Sequence, residues 1–328
     1  MEKSLSFTTN LLTSTKAKSI LGHDIIQALW SGYGHIYRIH LEESEWSSVV
    51  VKHIVFPLEH QHPRGWDTEV SHQRKTKSYA VENYWYQHYS SLCEASFRIP
   101  NCLDFIEINT TEKLLVLEDL NASGYTQRRS TLNVSEAKVV LSWLAQFHAK
   151  FMHYKPNGIW SIGTYWHLST RNDEWNAMEN GRLKSEAQNL DNHLNSSKYQ
   201  TIVHGDAKVA NFCFSENMEQ VAAVDFQYVG GGSGIKDVAY FLGSCMNEQE
   251  CHQSETALLN HYFEQLKKGL KLYHPEINSS QVEHEYRNLY SIAWTDFTRF
   301  LKGWSPDHKK LNTYSEVQMN KAFNILDK

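Results

Sequence analysis

Four polar side chains interrupt one apolar stretch, Ile202-Val203-His204-Gly205-Asp206-Ala207-Lys208-Val209-Ala210-Asn211-Phe212: they are His204, Asp206, Lys208 and Asn211. A second run, Val221-Ala222-Ala223-Val224-Asp225-Phe226-Gln227, ends an apolar strand on a carboxylate. Asp225 lies 19 residues beyond Asp206, room enough for a hairpin that brings it back to Asp206. Two carboxylates and one carboxamide then meet at the mouth of a small sheet. Hard oxygen ligands of this kind suit Mg²⁺ carrying a nucleotide phosphate. A carboxylate within reach also accepts the proton of an attacking hydroxyl.

These side chains need elements to hold them. The pattern predicts strand, tight turn and strand around His204, and a short strand leading into Asp225. Upstream, residues 25–30, the turn Ser31-Gly32-Tyr33-Gly34 and residues 35–41 read as strand, glycine turn, strand. Ile36, Arg38 and His40 alternate with Tyr37, Ile39 and Leu41, so one face is apolar. A further strand spans Ser47 to Val55 and carries Lys52 among valines. Gly32 and Gly34 put no Cβ between the backbone amides and an approaching phosphate. A lysine inside an apolar strand either snorkels or meets an anion.

The pattern H-x-D-x-x-x-x-N followed by an apolar-Asp-Phe run resembles the catalytic core of the protein-kinase-like phosphotransferases. Glycine at 205 and glutamine at 227 make it more similar to the aminoglycoside phosphotransferase and choline kinase branch. Trp294-x-Asp296-Phe297 with Arg299-Phe300-Leu301 resembles the ecdysteroid-kinase-like branch. The resemblance implies an α+β, two-lobed, protein-kinase-like fold. A small antiparallel-sheet N-lobe with one main helix (1–118) would bind the nucleotide. A larger, mainly helical C-lobe (119–328) would carry catalysis and the acceptor.

It also implies roles. Asp206 would be the catalytic base, Asn211 and Asp225 the metal ligands, and His204 and Asp237 structural supports. Lys52 would grip the nucleotide phosphates and pair with Glu82, which on residues alone reads as an exposed helix charge. Gly32 and Gly34 would line the phosphates. Glu118 and Leu120 would sit at the hinge, where backbone groups meet the adenine. Trp294 and Asp296 are candidates for the acceptor pocket, with packing as the other reading of Trp294. The implied cofactors are ATP and Mg²⁺. The implied activity is transfer of the γ-phosphoryl group to a hydroxyl of a small molecule, and the alternative is a nucleotide-binding pseudokinase acting through partners. Only 12 residues separate Asp225 from Asp237, and no A-P-E run follows. That leaves no long activation segment on which to lay a peptide, which disfavours a protein kinase.

Composition agrees with a globular protein of this kind. The 328 residues are 41% hydrophobic and 21% charged, ample for two cores. A net charge of −5 gives no reason to expect nucleic acid or an anionic membrane as partner. No apolar run approaches a membrane span and none follows Met1, so a cytoplasmic protein is expected, as monomer or homodimer. The five cysteines are irregularly spaced, with no C-x-x-C pair, and read as reduced thiols. Residues 56–77 read as a long polar loop, Ser78 to Ser91 as a helix, Thr13 to Leu21 as a short helix, and Gly230–Gly234 as a flexible segment. Helices are also expected from Asn133 and Lys236, over Ala257–Tyr273 and over Gln281–Gly303.

Overall fold

The computed structural model describes residues 5–29, 32–56 and 69–328. They divide into two compact units, one comprising the chain up to Cys93 with Ile99–Thr126, the other Glu94–Arg98 with Gln127–Lys328.

The first unit contains helix α1 (Leu5–Thr15), strands β1 (Ser19–Ala28), β2 (Gly34–Glu42) and β3 (Ser48–Val55), helix α2 (Glu69–His88), and strands β4 (Cys102–Glu107) and β5 (Glu112–Glu118). The strands form one antiparallel sheet in the order β1-β2-β3-β5-β4. Strand side chains alternate between faces, so Val49 and Val51 point one way and Lys52 and Ile54 the other. Tyr37, Ile39, Leu41, Val49, Val51, Leu114 and Val116 bury one face together with Phe7 and Leu11 of α1. Full burial of each such aliphatic side chain is worth about 1.5–3 kcal/mol. Ile54, Leu29, Tyr33 and Tyr79 of α2 form a second cluster.

Three local expectations change. Residues 13–21 do not form one helix: α1 ends at Thr15 and β1 begins at Ser19. Residues 57–68 of the expected 56–77 loop lie outside the described residues, and residues 69–77 belong to α2. The basic run Arg74-Lys75-Lys77 hides the apolar rhythm of that helix. Ser78 is therefore no cap; it is inside the helix, and its hydroxyl donates to the Lys75 carbonyl.

The second unit is mainly helical: α3 (Val134–Lys150), α4 (Asn172–Ala177), α5 (Arg182–Ser185), α6 (Ala187–Asn195), α7 (Ile235–Cys245), α8 (Glu248–Tyr273), α9 (Ser279–Trp304) and α10 (Thr313–Leu326). Between α6 and α7 lie four short strands: β6 (Gln200–Val203), β7 (Phe212–Phe214), β8 (Val221–Ala223) and β9 (Gly230–Ser233). β7 and β8 form a hairpin, and β6 pairs with β9. Asn133 and Asn247 close capping boxes with Glu136 and Glu250, which starts α8 nine residues before Ala257.

The glycine run 230–234 is the third change. Gly230 to Ser233 form a buried strand, not a flexible segment. A Cβ on Gly230 would lie 2.3 Å from the Trp160 carbonyl oxygen, and one on Gly231 2.6 Å from that of Ser161. The glycines are there to let backbones approach closely. The α+β architecture, with a five-stranded antiparallel sheet in one unit and helices dominating the other, meets the expected fold class. All five cysteines are free thiols. Among the described residues no helix is long and apolar enough to cross a membrane.

Candidate active site

β6 delivers the chain to His204, and Gly205 then turns it. Gly205 has φ +79°, and a Cβ there would fall 2.0 Å from the Tyr228 carbonyl oxygen. Neither the backbone conformation nor the space admits a side chain, which accounts for glycine where protein kinases have arginine. Asp237, in the first turn of α7 and fully buried, holds this turn from below. Its Oδ2 accepts from the His204 amide at 2.6 Å and its Oδ1 from the Gly205 amide at 3.0 Å. His148 Nε2 stands 3.1 Å from Oδ2, and His148 Nδ1 lies 2.9 Å from the Tyr262 hydroxyl. Burial opposes the charge on Asp237, but His148, His204 and the Gly205 amide outweigh it and hold the carboxyl below its ordinary range.

His204 ties this turn to the next strand. Its Nε2 is 3.0 Å from the Val224 carbonyl oxygen, which only accepts, and its Nδ1 accepts from the Asp206 amide at 3.3 Å. The ring is therefore neutral, with its hydrogen on Nε2. Burial pushes the His204 imidazole below its usual range, against the pull of Asp237, Asp206 and Asp225. The Val224 amide in turn donates to the Asn211 carbonyl at 2.9 Å. One side-chain and one backbone hydrogen bond thus fix the residue before Asp225 to the loop that carries Asp206 and Asn211.

Asp206 is buried and its carboxylate is oriented by three donors. The Tyr240 hydroxyl lies 3.1 Å from Oδ1; Lys208 Nζ lies 2.8 Å and Asn211 Nδ2 3.1 Å from Oδ2. Asn211 Nδ2 also donates to the Asp206 carbonyl at 2.8 Å. The amide nitrogen is so engaged, and no donor among the described residues is bonded to the Asn211 amide oxygen. Asp225 takes φ +69°, a left-handed conformation uncommon away from glycine and often retained at functional positions. An amide oxygen and a carboxylate from adjoining, cross-linked loops are the donor chemistry that Mg²⁺ takes together with phosphate oxygens.

In the first unit, Lys52 Nζ and Glu82 Oε2 form a buried ion pair at 2.6 Å, with side chains 6% and 2% exposed. The alternation of β3 sends Lys52 toward α2, and the Tyr79 ring lies 5.6 Å from the ammonium. Removing one member of a buried pair takes a compensating charge from the other. Lys52→Met is therefore expected to destabilise the protein by about 3 kcal/mol in urea unfolding, and an unchanged midpoint would contradict the pairing. Gly32 and Gly34 both have positive φ, and a Cβ on Gly34 would sit 2.0 Å from the His53 carbonyl oxygen. Glu118 is buried and accepts from the Asn101 amide at 2.9 Å and the Ser123 hydroxyl at 2.5 Å; Leu120 is buried too.

Trp294 and Asp296 lie on the buried part of α9. The Trp294 indole donates to Ser315 Oγ at 2.9 Å. Asp296 accepts from the Trp166 indole at 3.0 Å and from Arg299 at 2.9 Å. Both side chains therefore brace the helices behind the aromatic residues Tyr240 and Phe297.

The sequence model of the ecdysteroid kinase-like family matches residues 47–158 and 164–275. The chain belongs to this family. No curated protein sequence matches it. Among solved structures this ecdysteroid kinase-like chain is similar to a microcompartment-associated aminopropanol kinase, with a TM-score of 0.54 at 11% identity over 97% of this chain and 95% of that one. It is also similar to an amicoumacin kinase solved with AMP-PNP, Ca²⁺ and its ligand, with a TM-score of 0.51 at 14% identity over 97% and 92%. At such identities the likeness is one of fold.

The structure adds Lys208, Tyr240 and Lys310, to which the sequence assigns no role, to the candidate site of this ecdysteroid kinase-like chain. Lys208 and Tyr240 touch Asp206 directly. The Tyr165 hydroxyl lies 3.3 Å from that of Tyr240. Lys310 Nζ lies 5.3 Å from the ring centres of both Tyr240 and Phe297. Lys208 stands two residues after Asp206, so its proximity is readable; Tyr240 and Lys310 arrive from distant helices and turns, with no local signal.

Proposed function

We propose that this ecdysteroid kinase-like protein transfers the γ-phosphoryl group of ATP to a hydroxyl of a small-molecule acceptor. The observation that carries the reading is Asp206, buried, ionically paired and held by three donors on both oxygens. A carboxylate so fixed accepts an acceptor's hydroxyl proton along a set direction. The acceptor oxygen forms its bond to the γ-phosphorus as that phosphorus separates from the bridging oxygen, which keeps the bonding pair and leaves with ADP. The hydroxyl proton passes to Asp206.

Asn211 and Asp225 would hold magnesium, which when bound supplies positive charge to the phosphate oxygens. Lys52, kept in place by Glu82, would contribute a further cation to the nucleotide phosphates. Lys208 stays beside Asp206 as an ammonium: burial works against its charge, but Asp206 and Asp225 together keep its pKa above the ordinary lysine value. It is thus available both to orient the base and to meet developing charge on the transferred group.

The test is a thermal-shift titration with ATP, with and without Mg²⁺, followed by ADP release over a panel of hydroxylated metabolites. Magnesium-dependent stabilisation by ATP and acceptor-dependent ADP release are expected. Nucleotide binding with no turnover on any acceptor would favour a pseudokinase, and no nucleotide binding would end the reading.

A further inference from the structure

Lys310 lies on the turn between α9 and α10, far along the chain from Asp206, Asn211 and Asp225. It is not a dangling surface lysine. The Ser315 hydroxyl donates to its carbonyl at 2.6 Å and accepts from the Trp294 indole, and its own amide donates to His308 Nδ1 at 3.2 Å. The turn is thus pinned to α9 and α10, and it lays the ammonium 5.3 Å from the ring centres of Tyr240 and Phe297. Tyr240 is the tyrosine whose hydroxyl touches Asp206. The same ring therefore connects Lys310 to the proposed base.

The charges nearby are unevenly satisfied. Lys208 pairs with Asp206, Arg171 with Glu174, and Arg299 with Asp296. Lys310 has no carboxylate within ion-pair distance among the described residues. Burial brings its ammonium down to about 8, while Cys245 and Asp206 pull it upward and Lys309 and Lys208 push it down. At neutral pH it is still largely charged, half-buried and without a counterion. The two rings beneath it belong to a buried aromatic cluster, in which Tyr165 meets Tyr240, Phe297 and Phe300 edge-on at 5.4–6.4 Å.

We propose that Lys310 recognises an acidic group on the acceptor, which is accordingly a hydroxylated molecule with an apolar or aromatic body and a carboxylate or comparable anion. The proposal rests on the reading of Asp206 as the transfer site. A half-buried ammonium over two rings gains more from a partner anion than a fully exposed lysine does, because water competes less for it. A polycationic acceptor would meet Lys208 and Lys310 as like charges. The carboxylates of Asp296 and Glu174 are already bound to arginines, and that of Asp206 to Lys208.

The experiment is equilibrium binding, by ligand-observed NMR and calorimetry, with the full chain and no nucleotide. The probes are 4-(hydroxymethyl)benzoate and 12-hydroxydodecanoate, each beside its primary amide and the amine of the same skeleton. At least one carboxylate is expected to bind about tenfold or more tightly than its amide, a difference of about 1.4 kcal/mol, with the amine weakest. Lys310→Met should erase the preference and Lys310→Arg keep it. Equal affinities, tighter binding of the amine, no binding by either carboxylate, or a preference that survives Lys310→Met would each overturn the proposal. Should the methionine variant fail to fold, the wild-type ranking alone decides. No turnover is involved, so failure here is distinct from failure of the phosphotransferase reading, which would show as absent acceptor-dependent ADP release.

Discussion

Asp206→Ala is expected to slow phosphoryl transfer by about 10²–10⁴-fold, the usual contribution of a positioned proton acceptor, while nucleotide affinity stays close to that of the wild type. Three groups converge on this carboxylate, and their geometry has one consistent purpose. Tyr240 fixes one oxygen, and Lys208 and Asn211 fix the other. Truncation removes the proton acceptor and also frees Lys208 and Asn211 from the positions they hold. Asp206→Asn separates these effects, since the carboxamide keeps the shape and loses the basicity. Both variants should show the rate loss in an ADP-release assay, and calorimetry should find ATP binding within a fewfold of wild type. A rate within a fewfold of wild type would remove Asp206 from the chemistry.

Asp237→Ala is expected to cost about 4–5 kcal/mol of stability, as breaking a buried, multiply bonded charge does. Three donors lose their acceptor at once: the amides of His204 and Gly205, and His148. None of them reaches water, because Asp237, His148 and His204 are all fully buried. Urea unfolding at neutral pH measures the loss, and a cost below about 1 kcal/mol would show that the turn is held by something else.

The same network sets the acid response. His204 and Asp237 both have pKa values lowered by folding. A group lowered in the folded state stabilises fully above its unfolded value, and that stability is lost as pH falls toward its folded value. The His204 contribution should therefore start to decline below about pH 6.5, and that of Asp237 only below about pH 4. In Asp237→Ala the second decline should be missing from a series of urea melts across this range.

Much of this is legible in the chain. The spacing from His204 to Asn211 and on to Asp225 contains the site because a short hairpin, β7–β8, is what joins them. Lys52 stands out as a cation among valines, and β3 does bury it, against the Glu82 carboxylate. What the sequence does not reveal has three causes. α2 is polar and basic over its first turns, so its apolar rhythm is hidden and its start cannot be read. The glycines of β9 look like a flexible segment by composition, yet Gly230 and Gly231 are small because another backbone passes close by. Tyr240 reaches Asp206 from α7, and Lys310 reaches the Tyr240 ring from the turn between α9 and α10; long-range packing leaves no local pattern to read.

The central claim is that this chain moves a phosphoryl group, and a radioactive label tests it directly. Full-length protein is incubated with Mg²⁺, γ-³²P-ATP and a pool of hydroxylated small molecules, and organic products are separated and counted. The account predicts a labelled, phosphatase-sensitive product with the wild type and its loss with Asp206→Ala. Wild-type protein that binds ATP yet labels nothing, or a product that forms equally well without Asp206, would contradict it.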